Sequence, residues 1–182
     1  MEGKTKAGAQ LDPAFAAEWG KRYLEAWNSL DADGVATMCT EDVVWNDPAL
    51  PEPATGRDGV SGFVRATARA FPDFHVDELG PLEVSVPESR ALSRYRVTGT
   101  MLGPWEYANL AATGRGIHVL GVDEWTFRGE LMSHYRTYYD SLDMARQLGI
   151  LPTVGSAGDR AMTRLQHVQA RFQRRKAPGA QP

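Results

Sequence analysis

Up to Phe71-Pro72-Asp73 the apolar residues recur at helical spacing, and beyond it they recur at every second position. Because a helix repeats its face every 3.6 residues and a strand every two, this change of period gathers the helices into the first part of the chain and the strands into the second. In "LDPAFAAEWGKRYLEAWNSLD", Asp12 reads as a cap and Pro13 as first-turn proline, with Phe15, Trp19, Tyr23, Ala26, Trp27 and Leu30 along one face. "DADGVATMCTED" continues as a short second helix, "VVWNDP" is a short strand ended by Pro48, and "PALPEPATGRDG" is a loop. A third helix follows over about 58–70. Strands are expected near 74–86, 90–101, 116–127 and 131–140, with "PES" and "RG" as turns and "GPWEYANLAATGRG" as a longer loop. Asp140 opens a short helix through Leu148, stopped by Gly149 with Pro152 beyond.

Short connections make neighbouring strands antiparallel, since parallel neighbours need long crossovers. The expected fold is therefore α+β: a cone-shaped curved antiparallel sheet wrapped on three N-terminal helices, whose open end is a pocket lined by strands and the first helix. The cone occupies residues 11–152, between a flexible N-terminus (1–10) and a basic C-terminal helix and tail (153–182). In that last helix Met162, Leu165, Val168 and Phe172 form one apolar stripe, which suits a docking or dimer-contact helix or, equally, a half-ordered tail.

With 182 residues, 42% of them hydrophobic, the chain can bury one core. The single Cys39 lies in an apolar run, which leaves no disulfide framework and suits the cytoplasm. Nowhere do eighteen apolar residues follow one another, so neither a membrane span nor a secretory leader is expected. The last thirty residues hold six Arg/Lys against one acid, leaving 14 basic against 22 acidic residues in the body. Nucleic-acid binding is not expected, because the basic charge lies in a terminal segment rather than on a folded face. His75, His118, His134 and His167 show no metal-ligand spacing, and phosphate-loop, dinucleotide and Gly-x-Ser-x-Gly motifs are absent. No metal and no cofactor are expected.

Several segments together carry a resemblance: "YLEAWNSLD", "WNDPALPEPATGRDGV", "FPDF", "VTGTMLGPW", "ATGRGI" and "YYDSLDMARQLGILP". In these the chain resembles the SnoaL-like polyketide cyclases, a branch of the nuclear transport factor two-like cone folds. The resemblance implies a cofactor-free enzyme of antibiotic biosynthesis that closes a ring by intramolecular aldol condensation, with Asp140 as the acid/base. A histidine common in that branch after Gly-Thr is Met101 here. A fainter resemblance, to ketosteroid isomerase, places that family's acid/base Asp on Asp47, its oxyanion-donating Tyr on Tyr23 and its protonated Asp on Asp123. That isomerase is itself the standard example of a carboxylic acid kept neutral by an apolar site. The Arg-x-Asp strand motif of limonene epoxide hydrolases is missing.

Both chemistries remove a proton next to a carbonyl and hydrogen-bond the resulting enolate oxygen. A carboxylate does this better when desolvation among apolar walls raises its pKa. If Arg128-Gly129 is a two-residue hairpin loop, Asp123 faces His134 and Ile117 faces Asp140. One face then carries Val119, Gly121, Asp123, Trp125, Met132, His134, Arg136, Tyr138 and Asp140, and a one-residue slip would exchange it with the other. On this reading the catalytic candidates are Asp140, His134, Asp47, Asp123 and Tyr23. Trp27, Trp45, His118, Trp125, Tyr138 and Trp105 are candidates for the substrate wall, with Trp105 and Tyr107 as a possible lid. Each has a plainer role open to it: Asp140 as helix cap, Asp47 as turn starter, Asp123 as partner of Arg136, and the aromatics as core.

The preferred reading is a cyclase acting on a bulky, largely apolar polyketide-like molecule. The alternatives are a ketone isomerase using Tyr23, Asp47 and Asp123, or a non-catalytic cone that binds a small ligand. The partners expected are a hydrophobic small-molecule substrate and further copies of the chain, in a dimer or tetramer.

Overall fold

The computed structural model describes residues 11–176, with side chains through Gln173. The expected flexible segment 1–10 and the end of the basic tail lie outside the described residues.

Helix α1 (Pro13–Asn28) begins where Asp12 accepts a hydrogen bond from the Ala14 amide and Pro13 supplies a ready-made helical φ. Its aromatic face is buried: Trp19 stacks on Tyr23 at 5.1 Å between centroids and meets Phe127 edge-on at 4.9 Å. Helix α2 (Ala32–Thr37) is capped by Asp31, and α3 (Gly56–Ala70) buries Val60, Phe63, Val64, Thr67 and Ala70 along one side.

The strands are β1 (Cys39–Asn46), β2 (Ala54–Thr55), β3 (His75–Glu78), β4 (Glu83–Ser85), β5 (Arg90–Thr100), β6 (Gly116–Arg128) and β7 (Leu131–Tyr139). They form one sheet in the order β2-β1-β7-β6-β5-β3, with β4 also paired to β5. The architecture is the expected α+β cone, with α1 to α3 against the curved sheet. Three details differ from expectation. The strand expected near 74–86 is broken into β3 and β4, and β1 begins at Cys39, several residues early. The sheet is not wholly antiparallel either: β1 pairs with β7 in parallel. The rule that short connections give antiparallel pairs does not reach this pair, because most of the domain lies between the two strands and serves as the crossover.

The fourth difference bears on function. The β6–β7 hairpin turns through Gly129-Glu130, with Arg128 opposite Leu131. Gly129 alone of the two has positive φ, at 63°, the pattern of a type II′ turn with glycine first. Phe127 still faces Met132, but the next pair is Thr126 with His134, so Ser133 is an extra residue in β7. This bulge changes which side chains point inward for the rest of the strand. Asp123 consequently faces Thr137, not His134, and the inward row is Tyr135, Thr137 and Tyr139. His134, Arg136 and Tyr138 are exposed on the outer face.

Helices α4 (Ser141–Gln147) and α5 (Ala157–Lys176) follow. On α5, Met162, Leu165, Val168 and Phe172 are each 47–60% exposed, so the described residues leave the stripe largely uncovered.

Candidate active site

Alternation along β5, β6 and β7 sends Tyr95, Asp123 and Tyr135 to the inside of the cone, where they meet Tyr23 and Trp27 from α1. Phe63 and Thr67 of α3, with Phe71 just past its end, form the facing wall of the cavity. Trp105 enters from the β5–β6 loop, Met144 from α4, and Asp47 from the turn after β1. Nearly all of this lining is aromatic or aliphatic, so the few polar groups in it stand in poor solvent.

Asp123 is only 7% exposed. Burial pushes its carboxyl up to about 7, against the pull of the Tyr135 and Thr137 hydroxyls, and the nearby charge of Asp47 adds to the rise. Tyr135 donates to Asp123 Oδ1 at 2.7 Å, and Tyr95 and Thr137 share a hydrogen bond of 2.6 Å beside them. Gly121 makes that second bond possible: it pairs with Tyr95 across the sheet, and a Cβ there would stand 2.3 Å from the Tyr95 hydroxyl oxygen.

Asp47 Oδ1 accepts the Ala49 amide and the Tyr139 hydroxyl, both at 2.8 Å. The first bond is the turn that an Asp before proline starts. The second ties the turn to β7 and leaves Oδ2 free of protein donors among the described residues. Burial raises this carboxyl as well, with the two donors holding it back. Tyr23 completes the group. Its hydroxyl is buried and has no hydrogen-bond partner among the described residues, although Trp27 and Tyr135 stand beside it. Burial, then the Asp123 charge, pushes its pKa well up, so it is a neutral donor.

The structure therefore brings together Tyr23, Asp47 and Asp123, with Trp27 and Trp105 in the wall. It does not bring Asp140 to them. Asp140 is exposed, caps α4 by accepting the Asp143 amide at 2.8 Å, and borders a separate pocket with His118 and Leu120. The acid/base role assigned to Asp140 by resemblance thus falls outside the cavity, because β7 ends at Tyr139 and the chain turns outward into α4. His118, whose backbone is clasped by Gln147, lies outside the cavity too. The Ser133 bulge puts His134 and Tyr138 on the outer face, a correction to both expectations. Trp45 and Trp125 are fully buried but stand behind the wall: Trp45 stacks on Tyr135 at 3.7 Å, and Trp125 packs on Trp19 and Tyr23.

Tyr95, Tyr135, Thr137, Tyr139 and Thr67 were not among the candidates. For Tyr95 the signal was available, since Ala91, Ser93, Tyr95 and Val97 alternate on the buried face of β5. For the β7 trio it was hidden by the bulge. Among the described residues no three His, Cys, Asp or Glu side chains converge as a metal site would require.

Comparison with the curated proteins finds no match. Solved structures do match. TsrD from Streptomyces laurentii is 25% identical with a TM-score of 0.65, covering 78% of this chain and all of that one. A Catenulispora acidiphila protein with a ketosteroid isomerase-like fold is 19% identical with a TM-score of 0.61, covering 72% of this chain and 92% of that one. A Jannaschia sp. CCS1 protein provisionally named a SnoaL-like polyketide cyclase is 16% identical with a TM-score of 0.65, covering 82% of this chain and all of that one. Since the SnoaL-like domain model matches residues 21–135, more than half of its length, the chain belongs to the SnoaL-like family.

Proposed function

We propose that the cavity removes and returns a proton beside a substrate carbonyl, and so closes a ring in a polyketide-like ketone by intramolecular aldol addition. One observation carries this reading: two carboxyls whose pKa values are raised by burial share a largely apolar cavity with a buried phenol that has no partner among the described residues. Like charges oppose double ionisation, so one carboxyl stays protonated while the other is a base. Asp123, deeper and held near 7, is assigned as the acid, and Asp47, with its free Oδ2, as the base.

Asp47 takes the proton from the carbon next to the carbonyl. Asp123 and Tyr23 hydrogen-bond the enolate oxygen, in a site where such donors are not competed for by water. The enolate carbon then adds to a second carbonyl of the same molecule, one carbon-carbon bond forms, and the new alkoxide takes the proton that Asp47 holds. Nothing is oxidised or reduced, and the enzyme ends as it began.

Support for a polyketide-like substrate comes from the family and from the name of the Jannaschia relative. The convergence of Tyr23, Asp47 and Asp123 also favours a second reading, isomerisation of an unsaturated ketone, which differs only in where the proton returns. We also propose that the protein works as a homo-oligomer in the cytoplasm. No described helix is long and apolar enough to cross a membrane.

The test is ring closure of anthraquinone-type β-keto esters, alongside exchange of their α-protons into D2O followed by NMR. Asp47→Asn and Asp123→Asn are each expected to slow both by about 100-fold or more. Asp140→Ala is expected to leave both rates within about twofold of wild type. Full activity in Asp47→Asn, or none in a folded Asp140→Ala, would overturn the assignment. Exchange without ring closure would move the function to isomerisation.

A further inference from the structure

Two more polar groups in this cavity are buried without partners, and neither belongs to the acid/base set. Among the described residues the Thr67 hydroxyl and the Trp105 indole N–H find no hydrogen-bond partner, although Thr67 is 3% and Trp105 5% exposed and both residues line the cavity. Buried polar atoms are nearly always satisfied, so two orphans bordering one cavity call for an explanation. The Thr67 case is pointed, because a threonine within a helix readily returns its hydroxyl to a carbonyl of the preceding turn, and this one does not.

The two groups come from adjoining parts of one wall. Thr67 lies one turn before Phe71 on the buried side of α3, and Phe71 meets the Trp105 ring edge-on at 5.5 Å. Trp105 is held in place as well: its backbone exchanges two hydrogen bonds with Leu110, and Glu106 beside it pairs with Arg69 of α3 at 2.6 Å. The loop carrying Trp105 joins the far ends of β5 and β6. Between Ile117 at that end and Asp123 lie about 20 Å of extended strand. The cavity thus has polar groups of two kinds at two ends: titratable ones near Asp123, and neutral donors where α3 meets the loop.

The geometry points to a second oxygen-binding subsite made by Trp105 and Thr67, which receives an acceptor oxygen on the edge of the substrate remote from the carbon that is deprotonated. An indole N–H can only donate and a hydroxyl can do either, so the group they select is a carbonyl, ether or phenol oxygen. The substrate class is accordingly an apolar ring compound with oxygens at opposite edges. This rests on the enolising role proposed above, and deepens it by naming what holds the other end of the molecule.

The experiment compares androstan-3-one with 17-hydroxyandrostan-3-one, which share the enolisable ketone and differ in one oxygen at the far end of a ring system long enough to reach from one end of the cavity to the other. Dissociation constants are measured by calorimetry, and α-proton exchange into D2O by NMR, for wild type, Trp105→Phe and Thr67→Val. Wild type is expected to bind the hydroxy compound about fivefold more tightly, the yield of one good hydrogen bond. In each variant that preference should fall to near unity. A general packing defect would weaken both ligands alike and leave the ratio standing, so the ratio reports the subsite even where a variant loses stability. A wild-type ratio of one, or a preference kept by both variants, would overturn the subsite and mean that trapped water satisfies these groups. The ratio and the exchange fail separately: no exchange of either compound with the preference intact would sink the enolising role and keep the subsite.

Discussion

Asp123 shows how much a single carboxyl in this cavity costs the fold. Its pKa is about 7 in the folded protein, against an ordinary value of 3.8. Between those two pH values the folded state holds a proton that the unfolded state has released, so stability falls as pH rises, by on the order of 4 kcal/mol in all. Asp123→Asn carries no such penalty. It is expected to melt higher than wild type at pH 8 and to lose most of that advantage by pH 4, which differential scanning calorimetry at the two pH values would read. If Asp123 acts as the acid, ring closure by wild type should also decline as pH rises through about 7, and a rate that climbs through that range would contradict the role. Asp140 serves the fold and not the chemistry. Removing its cap on α4 should cost about 1 kcal/mol and leave the chemistry alone, a separation that melting and rate measurements on Asp140→Ala would show together.

Among the elements, α1 was legible, because cap, first-turn proline and a face of four aromatics, Phe15, Trp19, Tyr23 and Trp27, all agree. Much of the polar site was not, and the reason is specific. Both rows of β7 contain tyrosine, so the sequence pattern alone does not choose between His134, Arg136 and Tyr138 on one side and Tyr135, Thr137 and Tyr139 on the other. The choice rests on Ser133, whose hydroxyl donates to the Thr126 carbonyl at 3.2 Å across the bulge. Nothing in a serine announces that. The Tyr139–Asp47 bond was equally hidden, since it spans 92 positions and depends on the parallel pairing of β1 with β7. Asp47 and Asp123 themselves were candidates through the fainter resemblance to ketosteroid isomerase, with turn starter as the plainer role of Asp47 and partner of Arg136 as that of Asp123. Gly121 offers an element-scale test. Gly121→Ala would drive a methyl into the Tyr95 hydroxyl and part it from Thr137, with an expected loss of about 1–3 kcal/mol in denaturant unfolding.

For the whole molecule the open question is what α5 is for. The helix carries an apolar stripe that its own body leaves exposed, and its basic residues follow an acidic domain. A second copy offers both the missing apolar cover and the opposite charge, in line with the oligomer proposed above. Ending the chain at Ser156 should therefore leave the thermal midpoint of the body in place while light scattering shows the mass falling to that of one chain. An unchanged mass would assign the stripe elsewhere.

The bulge at Ser133 has a bearing on how such a cavity could be remade. A strand has two rows of side chains, and one inserted residue decides which row the substrate meets. A single-codon deletion there would offer the interior an imidazole, a guanidinium and a phenol in place of two phenols and a hydroxyl, with the turn and the opposite strand untouched. Point substitutions would need three separate steps to make that exchange. Libraries that vary length at this position, and not only identity, therefore sample chemistries that substitution libraries on the same backbone do not reach.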